Sequence, residues 1–222
     1  MNNPYLLSVF LLVANVALVR AQAPAPVPAA APAPLKLDFQ AAAAGGLPDG
    51  LILTDAESKF SIIVEGENHF LQMNPSPLVD GGVLAGSSIK GAAVVAVRVR
   101  AEAKRRSQPR FGVGMHGVGG YRCLVVPAQK ELQIVKNEEV VARVPFEWKP
   151  GGWTGVEFRV LAEGPGSRLE GRAWLEGAPR PAEPLVTLAV AAPPATGKAS
   201  LWAAPYAGLP IDFDEMEIRP LP

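Results

Sequence analysis

Cysteine occurs once in the 222 residues, so Cys123 cannot close an internal disulfide, supply a thiolate zinc site or complete the C-x-x-C-H of covalent haem attachment. The fold must hold by packing alone. Histidine is nearly as scarce: His69 and His116 are the only two. Neither has a second His or a Cys at ligand spacing, which leaves no local zinc motif and reads both as surface or strand-edge residues. Net charge is absent as well. Lys plus Arg and Asp plus Glu stand at 21 each, so no global field attracts nucleic acid, and nucleic acid is excluded as an expected partner. No G-x-x-x-x-G-K-[ST] occurs, and Gly112, Gly114, Gly117, Gly119 and Gly120 fall between strand-like runs rather than before a helix, so phosphate cradling is not indicated. Asp80 and the other loop aspartates lack the density of a D-x-D-x-D-G calcium loop. Sandwich folds can bind calcium with fewer local ligands, so calcium stays open while no other metal or cofactor is expected.

One long apolar run is present, residues 5–19, followed by small residues at 21–23 that suit a signal cleavage site. Export to a periplasmic or extracellular space is the first reading, although no Lys or Arg precedes the run. The alternative is a retained membrane anchor. At 1.5 Å per residue the run covers about 24 Å, short of the roughly 30 Å hydrocarbon core, and Asn15 within it makes spanning harder. Residues 1–21 are therefore a signal peptide or anchor. Residues 22–35, rich in Ala and Pro, form a semi-rigid polyproline-like spacer, because proline removes backbone donors and restricts its predecessors to extended conformations.

From residue 36 onward no helical periodicity is sustained, whereas short period-two segments recur between Gly, Pro, Asn and Asp. Val95, Val97, Val99 and Ala101 alternate with Arg98 and Arg100, as in a strand with one wet face. Residues 154–160 and 169–175 repeat the pattern. Further strands are expected at 60–64, 69–73, 111–115, 121–126, 131–135, 140–144, 185–190, 199–202 and 211–218. Glycines 117–120 and the Asn137 turn read as hairpin connections. About a dozen strands in one domain, residues 36–222, predict an all-β, two-sheet antiparallel jelly-roll sandwich. Cys123 alternates with its neighbours as an inert core residue would.

Gly120-Tyr121-Arg122, the hairpin through Leu132 and Val144, the strand at 153–160 and the ending Gly208-Leu209-Pro210-Ile211-Asp212-Phe213-Asp214-Glu215-Met216-Glu217-Ile218 resemble the concanavalin-A-like jelly rolls. Among these the chain is similar to laminin-G-like modules and to sugar-hydrolase-related domains of exported bacterial proteins. The resemblance covers residues 39–218 and implies the fold more than a function, since such domains bind glycans, cleave them or make subunit contacts.

The ending also resembles the E-x-D-x-x-E motif of retaining glucanases on this fold, in which a bulged strand brings carboxylates to one face. Parity shifts here in the same way, from Ile211 and Phe213 to Met216 and Ile218, so a bulge is expected near Asp214. Asp212, Asp214 and Glu217 are thus the catalytic candidates. Asp at the first position and the terminal location of the motif argue against catalysis, and these side chains also suit a solvated strand. Arg98, Arg100, Lys104, Arg105, Arg106 and Arg110 make the one basic cluster, read as a solvated strand face running into a charged loop. Trp148, Trp153, Trp174, Trp202, Tyr121 and Tyr206 are the aromatics available for sugar stacking or a partner interface. Of these Trp174, sharing a face with Arg168, Glu170 and Arg172, is the one expected to be exposed. The binding candidates are Trp174, Tyr121, Tyr206, Arg98 and Arg100. The function expected is a non-catalytic extracytoplasmic module that binds a glycan or a protein, including the role of accessory subunit in a membrane complex contacted through the N-terminal segment. The alternative is a glycoside hydrolase.

Overall fold

The computed structural model describes residues 33–75 and 80–221; the signal or anchor segment and most of the spacer lie outside the described residues. What is described is nearly all strand, in chain order β1 (Leu35–Leu37), β2 (Ile52–Leu53), β3 (Phe60–Glu65), β4 (Asn68–Met73), β5 (Gly81–Lys90), β6 (Ala93–Ala101), β7 (Arg110–Met115), β8 (Tyr121–Val126), β9 (Glu131–Lys136), β10 (Glu139–Pro145), β11 (Trp153–Glu163), β12 (Gly166–Leu175), β13 (Val186–Val190), β14 (Thr196–Ala204) and β15 (Ile211–Pro220). A single turn of 3-10 helix, Pro127–Gln129, is the only helical segment among the described residues.

The strands form two antiparallel sheets. One runs β13-β12-β11-β6-β15-β4-β3, with β1 also paired to β15, and the other runs β10-β9-β8-β7-β14-β5-β2. The expected two-sheet sandwich is therefore what the chain builds. Period two explains the core. Val95, Val97 and Val99 of β6 and Val156, Phe158 and Val160 of β11 point between the sheets, where they meet Phe111, Val113 and Met115 of β7 and Leu201 of β14, all buried. Each such side chain contributes about 1.5–3 kcal/mol by leaving water. Cys123 is fully buried in the same core, as its alternation predicted.

The anticipated hairpins are present. β7 pairs with β8 across residues 116–120, and β9 pairs with β10 across a two-residue loop in which Asn137 and Glu138 both have positive φ, 48° and 65°. That double positive φ is the hairpin-favouring turn geometry, and Asn is one of the few residues that adopts it readily.

Strand β5 was not anticipated. Its sequence, GGVLAGSSIK, reads as turn material, yet it pairs with β14 on one side and β2 on the other. The reason is close approach: a Cβ at Gly82 would strike the Leu201 carbonyl oxygen, and one at Gly81 would strike the Ser58 hydroxyl. The structure also begins β1 at Leu35, one residue inside the stretch read as spacer. β1 continues the edge of β15 beyond the end of β4, pairing Leu35 with Ile218 and Leu37 with Met216.

Candidate functional site

Cross-strand register arranges the outward side chains of the eight-stranded sheet in rows. The first row is Gln72, Asp212, Arg100 and Trp153, passing from β4 through β15 and β6 to β11. The second is Asp214, Arg98, Gly155 and Trp174, from β15 through β6 and β11 to β12. The third is Glu217, Ala96, Glu157 and Arg172 on the same four strands. Residues far apart in the chain thus share one surface.

In the first row both oxygens of Asp212 are engaged. It accepts from Gln72 Nε2 at 2.7 Å through Oδ1 and from Arg100 Nε at 2.9 Å through Oδ2. Arg100 also donates from Nη1 to Glu65 at 2.8 Å. Burial works against the Arg100 charge, but the two carboxylates outweigh it and raise its pKa. The guanidinium lies 5.0 Å from the Phe70 ring centroid and 5.1 Å from that of Trp153, and these two rings meet edge to face at 6.2 Å. Cation–π and aromatic contacts thereby fix the Trp153 indole on the sheet.

In the second row Asp214 takes a hydrogen bond from Asn68 at 3.3 Å and one from the backbone N–H of Glu215 at 2.8 Å. Burial pushes its carboxyl above the usual aspartate value despite those two donors. Arg98 lies 4.9 Å from the Trp153 centroid and pairs with Glu215 at 2.6 Å. Gly155 has no side chain for a physical reason: the Trp174 indole lies across its Cα, and a Cβ there would overlap the ring. Trp174 is consequently half-buried rather than exposed, which corrects the sequence expectation.

The third row is closed. Arg172 is buried between Glu157 at 3.1 Å and Glu170 at 3.4 Å, and its other terminal nitrogen donates to the Ala182 carbonyl at 3.2 Å. Arg180 reaches Glu157 from the same connection, 2.5 Å away. The β12–β13 connection is pinned over this row by these two contacts. The first two rows border three cavities: about 440 Å³ beside Phe70, Gln72, Arg100 and Asp212, about 320 Å³ beside Pro150 and Trp153, and about 210 Å³ between Trp153 and Trp174 over Gly155. Trp153 is the wall shared by the second and third.

The bulge expected in β15 is present. Two residues of β6, Arg98 and Ala96, span three steps of β15, Asp214 to Glu217, and Glu215 takes φ 50°. Phe213 and Met216 therefore both face inward, and Asp212, Asp214 and Glu217 all project from the outer face, as the glucanase resemblance implies. Asp212 and Asp214 are buried on that face by the partners described, which corrects the expectation of a solvated strand, and Glu217 pairs with Arg219 at 2.9 Å.

The remaining sequence candidates are scattered. Arg98, Arg100 and Trp174 come together, but Tyr121 lies on β8 under the Lys136 ammonium and lines a separate cavity of about 220 Å³ with His116 and Pro193. Tyr206 is exposed in the β14–β15 turn. The basic cluster does not form one patch. Arg98 and Arg100 face out from the eight-stranded sheet, Lys104 to Arg106 form a turn, and Arg110 pairs with Asp80 from the other sheet. Trp202 is buried with the Arg122 guanidinium 3.5 Å above its ring, and Trp148 packs against Phe111. His69 bonds the Ala42 carbonyl and His116 the Gly91 carbonyl, each at 3.0 Å. Among the described residues no group of three metal-ligating side chains converges. The sequence named Trp153 only among the aromatics available for stacking and did not point to Phe70, Gln72 or Glu176, because only pairing register shows that they share a surface.

No protein-family model and no curated protein sequence matches the chain. Solved structures do. The cellulose-induced protein Cip1 aligns with a TM-score of 0.58 at 14% identity over 83% of this chain and 96% of its own. The carbohydrate-binding module CBM66 from Bacillus subtilis aligns at 0.52 and 13% identity over 75% and 93%. Lectin II from Ulex europaeus aligns at 0.53 and 10% identity over 83% and 97%. The chain folds as a concanavalin-A-like β-sandwich module. At these identities the likeness establishes the architecture and leaves the site to be read from its own residues.

Proposed function

We propose that this chain is an exported, non-catalytic module whose outer eight-stranded face binds a glycan. The observation that carries the reading is the pair of indoles, Trp153 and Trp174, flanking a sugar-sized cavity floored by Gly155, with Arg98 and Glu176 at its wall. A flat aromatic surface suits the apolar face of a pyranose, and ordered carboxylate and guanidinium groups beside it suit the hydroxyls. Two of the similar structures are named as a carbohydrate-binding module and a lectin, which supports the same reading. Affinity electrophoresis against immobilised polysaccharides tests it: wild type should be retarded by at least one of them, and Trp153→Ala with Trp174→Ala should migrate freely while still unfolding cooperatively as a folded domain. Migration unaffected by every polysaccharide would remove glycan binding and leave the protein-partner reading, in which the module is an accessory subunit.

One observation favours the hydrolase alternative: the β15 bulge sets Asp212, Asp214 and Glu217 on one face. Against it, Asp212 is held in an ion pair and both donors on Asp214 come from its immediate surroundings. Release of reducing sugar from a β-glucan, abolished by Asp212→Asn with Asp214→Asn and Glu217→Gln, would establish the hydrolase. The export reading is tested separately by N-terminal sequencing of the native protein, where a start in the low twenties supports cleavage and Met1 supports an anchor.

A further inference from the structure

The same face carries information about which glycan it takes, and this inference rests on the glycan-binding reading. The three cavities bordering the first two rows contain four carboxylates, Glu65, Glu102, Glu176 and Asp212, and three cations, Arg98, Arg100 and Lys149. The cations that lie on the sheet itself are not free. Arg100 is clamped between Glu65 at 2.8 Å and Asp212 at 2.9 Å, and Arg98 between Glu215 at 2.6 Å and Glu176 at 4.0 Å. A sugar carboxylate or sulfate entering here would have to displace a carboxylate already on each guanidinium, and it would do so beside the remaining ones. Unpaired like charges of that kind exclude a ligand more effectively than missing contacts do. Hydroxyl groups meet no such barrier, because a carboxylate that accepts from an arginine has lone pairs left to accept from a hydroxyl.

The spacing of the cavities adds a second element. They run across the sheet: one lies between Trp153 on β11 and Trp174 on β12, and another beside Arg100 on β6, Asp212 on β15 and Gln72 on β4, where Phe70 is fully buried. Neighbouring strands are about 4.8 Å apart, so a ligand touching the outer cavities crosses several strands. We propose that the face takes an uncharged, extended stretch of polysaccharide, lying across the strands over Trp153, and rejects both anionic glycans and single terminal sugars.

Titration calorimetry of the full domain tests this with neutral gluco-, xylo- and manno-oligosaccharides of one to six units, alongside polygalacturonate and dextran sulfate. Affinity should rise at least about tenfold between the monosaccharide and the longest neutral oligomer, and the two polyanions should not compete. The double variant Glu65→Gln, Glu215→Gln, both at exposed positions, releases one carboxylate from each guanidinium. It should gain low-salt binding to polygalacturonate, which wild type lacks. Binding of polyanion by wild type, or a monosaccharide bound as tightly as the hexamer, overturns this inference and leaves the glycan reading standing. Absence of binding to any probe overturns both.

Discussion

Arg100 and Asp212 face each other across β6 and β15, and the Nε–Oδ2 hydrogen bond of 2.9 Å between them is flanked by the Gln72 amide on one side and the Trp153 ring on the other. Four strands are thereby tied together on the outer face of the sheet by one buried carboxylate and one guanidinium. This pair is the centre of the first row, and several properties of the module depend on it.

Replacing Asp212 with Ala leaves both the Gln72 amide and the Arg100 Nε without their acceptor. Hydrogen bonds to a charged group contribute about 1.5–3 kcal/mol, and loss of that order is expected in urea unfolding. Asp212→Asn, which keeps an acceptor, should cost less. A change within about 0.5 kcal/mol for the Ala variant would show that the pair is merely solvated.

Gly155→Ala places a methyl group where the Trp174 indole lies. The ring must lift or the strands must part, and overpacking of this kind costs about 1–3 kcal/mol. The expected signature is a lower melting temperature together with a red-shifted tryptophan emission. Unchanged emission would mean that Trp174 does not rest on Gly155.

His116 is partly buried, and burial holds its imidazole below the usual value of 6.5, against a hydrogen bond to the Gly91 carbonyl that favours the charged form. A base whose pKa is depressed on folding binds its proton more readily when unfolded. Its stability contribution is therefore complete above pH 6.5 and is lost progressively as pH falls below that. His116 also has φ 68°, which Asn tolerates. The melting temperature of His116→Asn should rise relative to that of wild type as pH falls from 8 to 5, whatever constant offset loss of the Gly91 hydrogen bond adds; a difference that stays constant across this range would refute the linkage.

Burial, with a smaller contribution from the Glu157 charge, pushes the Cys123 thiol far up, and the side chain is inaccessible in the core. An aromatic disulfide reagent should therefore find no reactive thiol in the native protein and one equivalent in denaturant, because only global opening exposes the sulfur. Stoichiometric reaction under native conditions at the rate of a free thiol would contradict this placement.

Local pattern carried much of the architecture. The alternation of Val95, Val97 and Val99 with Arg98 and Arg100 was enough to place a strand and to name its wet face, and the parity change between Phe213 and Met216 was enough to place a bulge. Both are properties of consecutive residues, and the period of two is imposed by the backbone itself. Strand β5 escaped for the opposite reason. Its glycines answer to the Leu201 carbonyl and the Ser58 hydroxyl, groups more than 20 positions away, and no window along the chain contains them.

The amino-acid sequence by itself determined that this is an all-β domain without disulfides, with Cys123 in its core and Arg98 and Arg100 on the outer face of a strand, since each of these follows from composition or from alternation within a few residues. Only the tertiary structure decided that Asp212 meets Arg100, that Trp174 rests on Gly155 and that Trp153 walls two cavities while Tyr121 and Tyr206 lie elsewhere. Those relations are set by which strands pair and in what register, and register is chosen by burying the whole inner face at once, a collective condition that no single segment of the chain expresses.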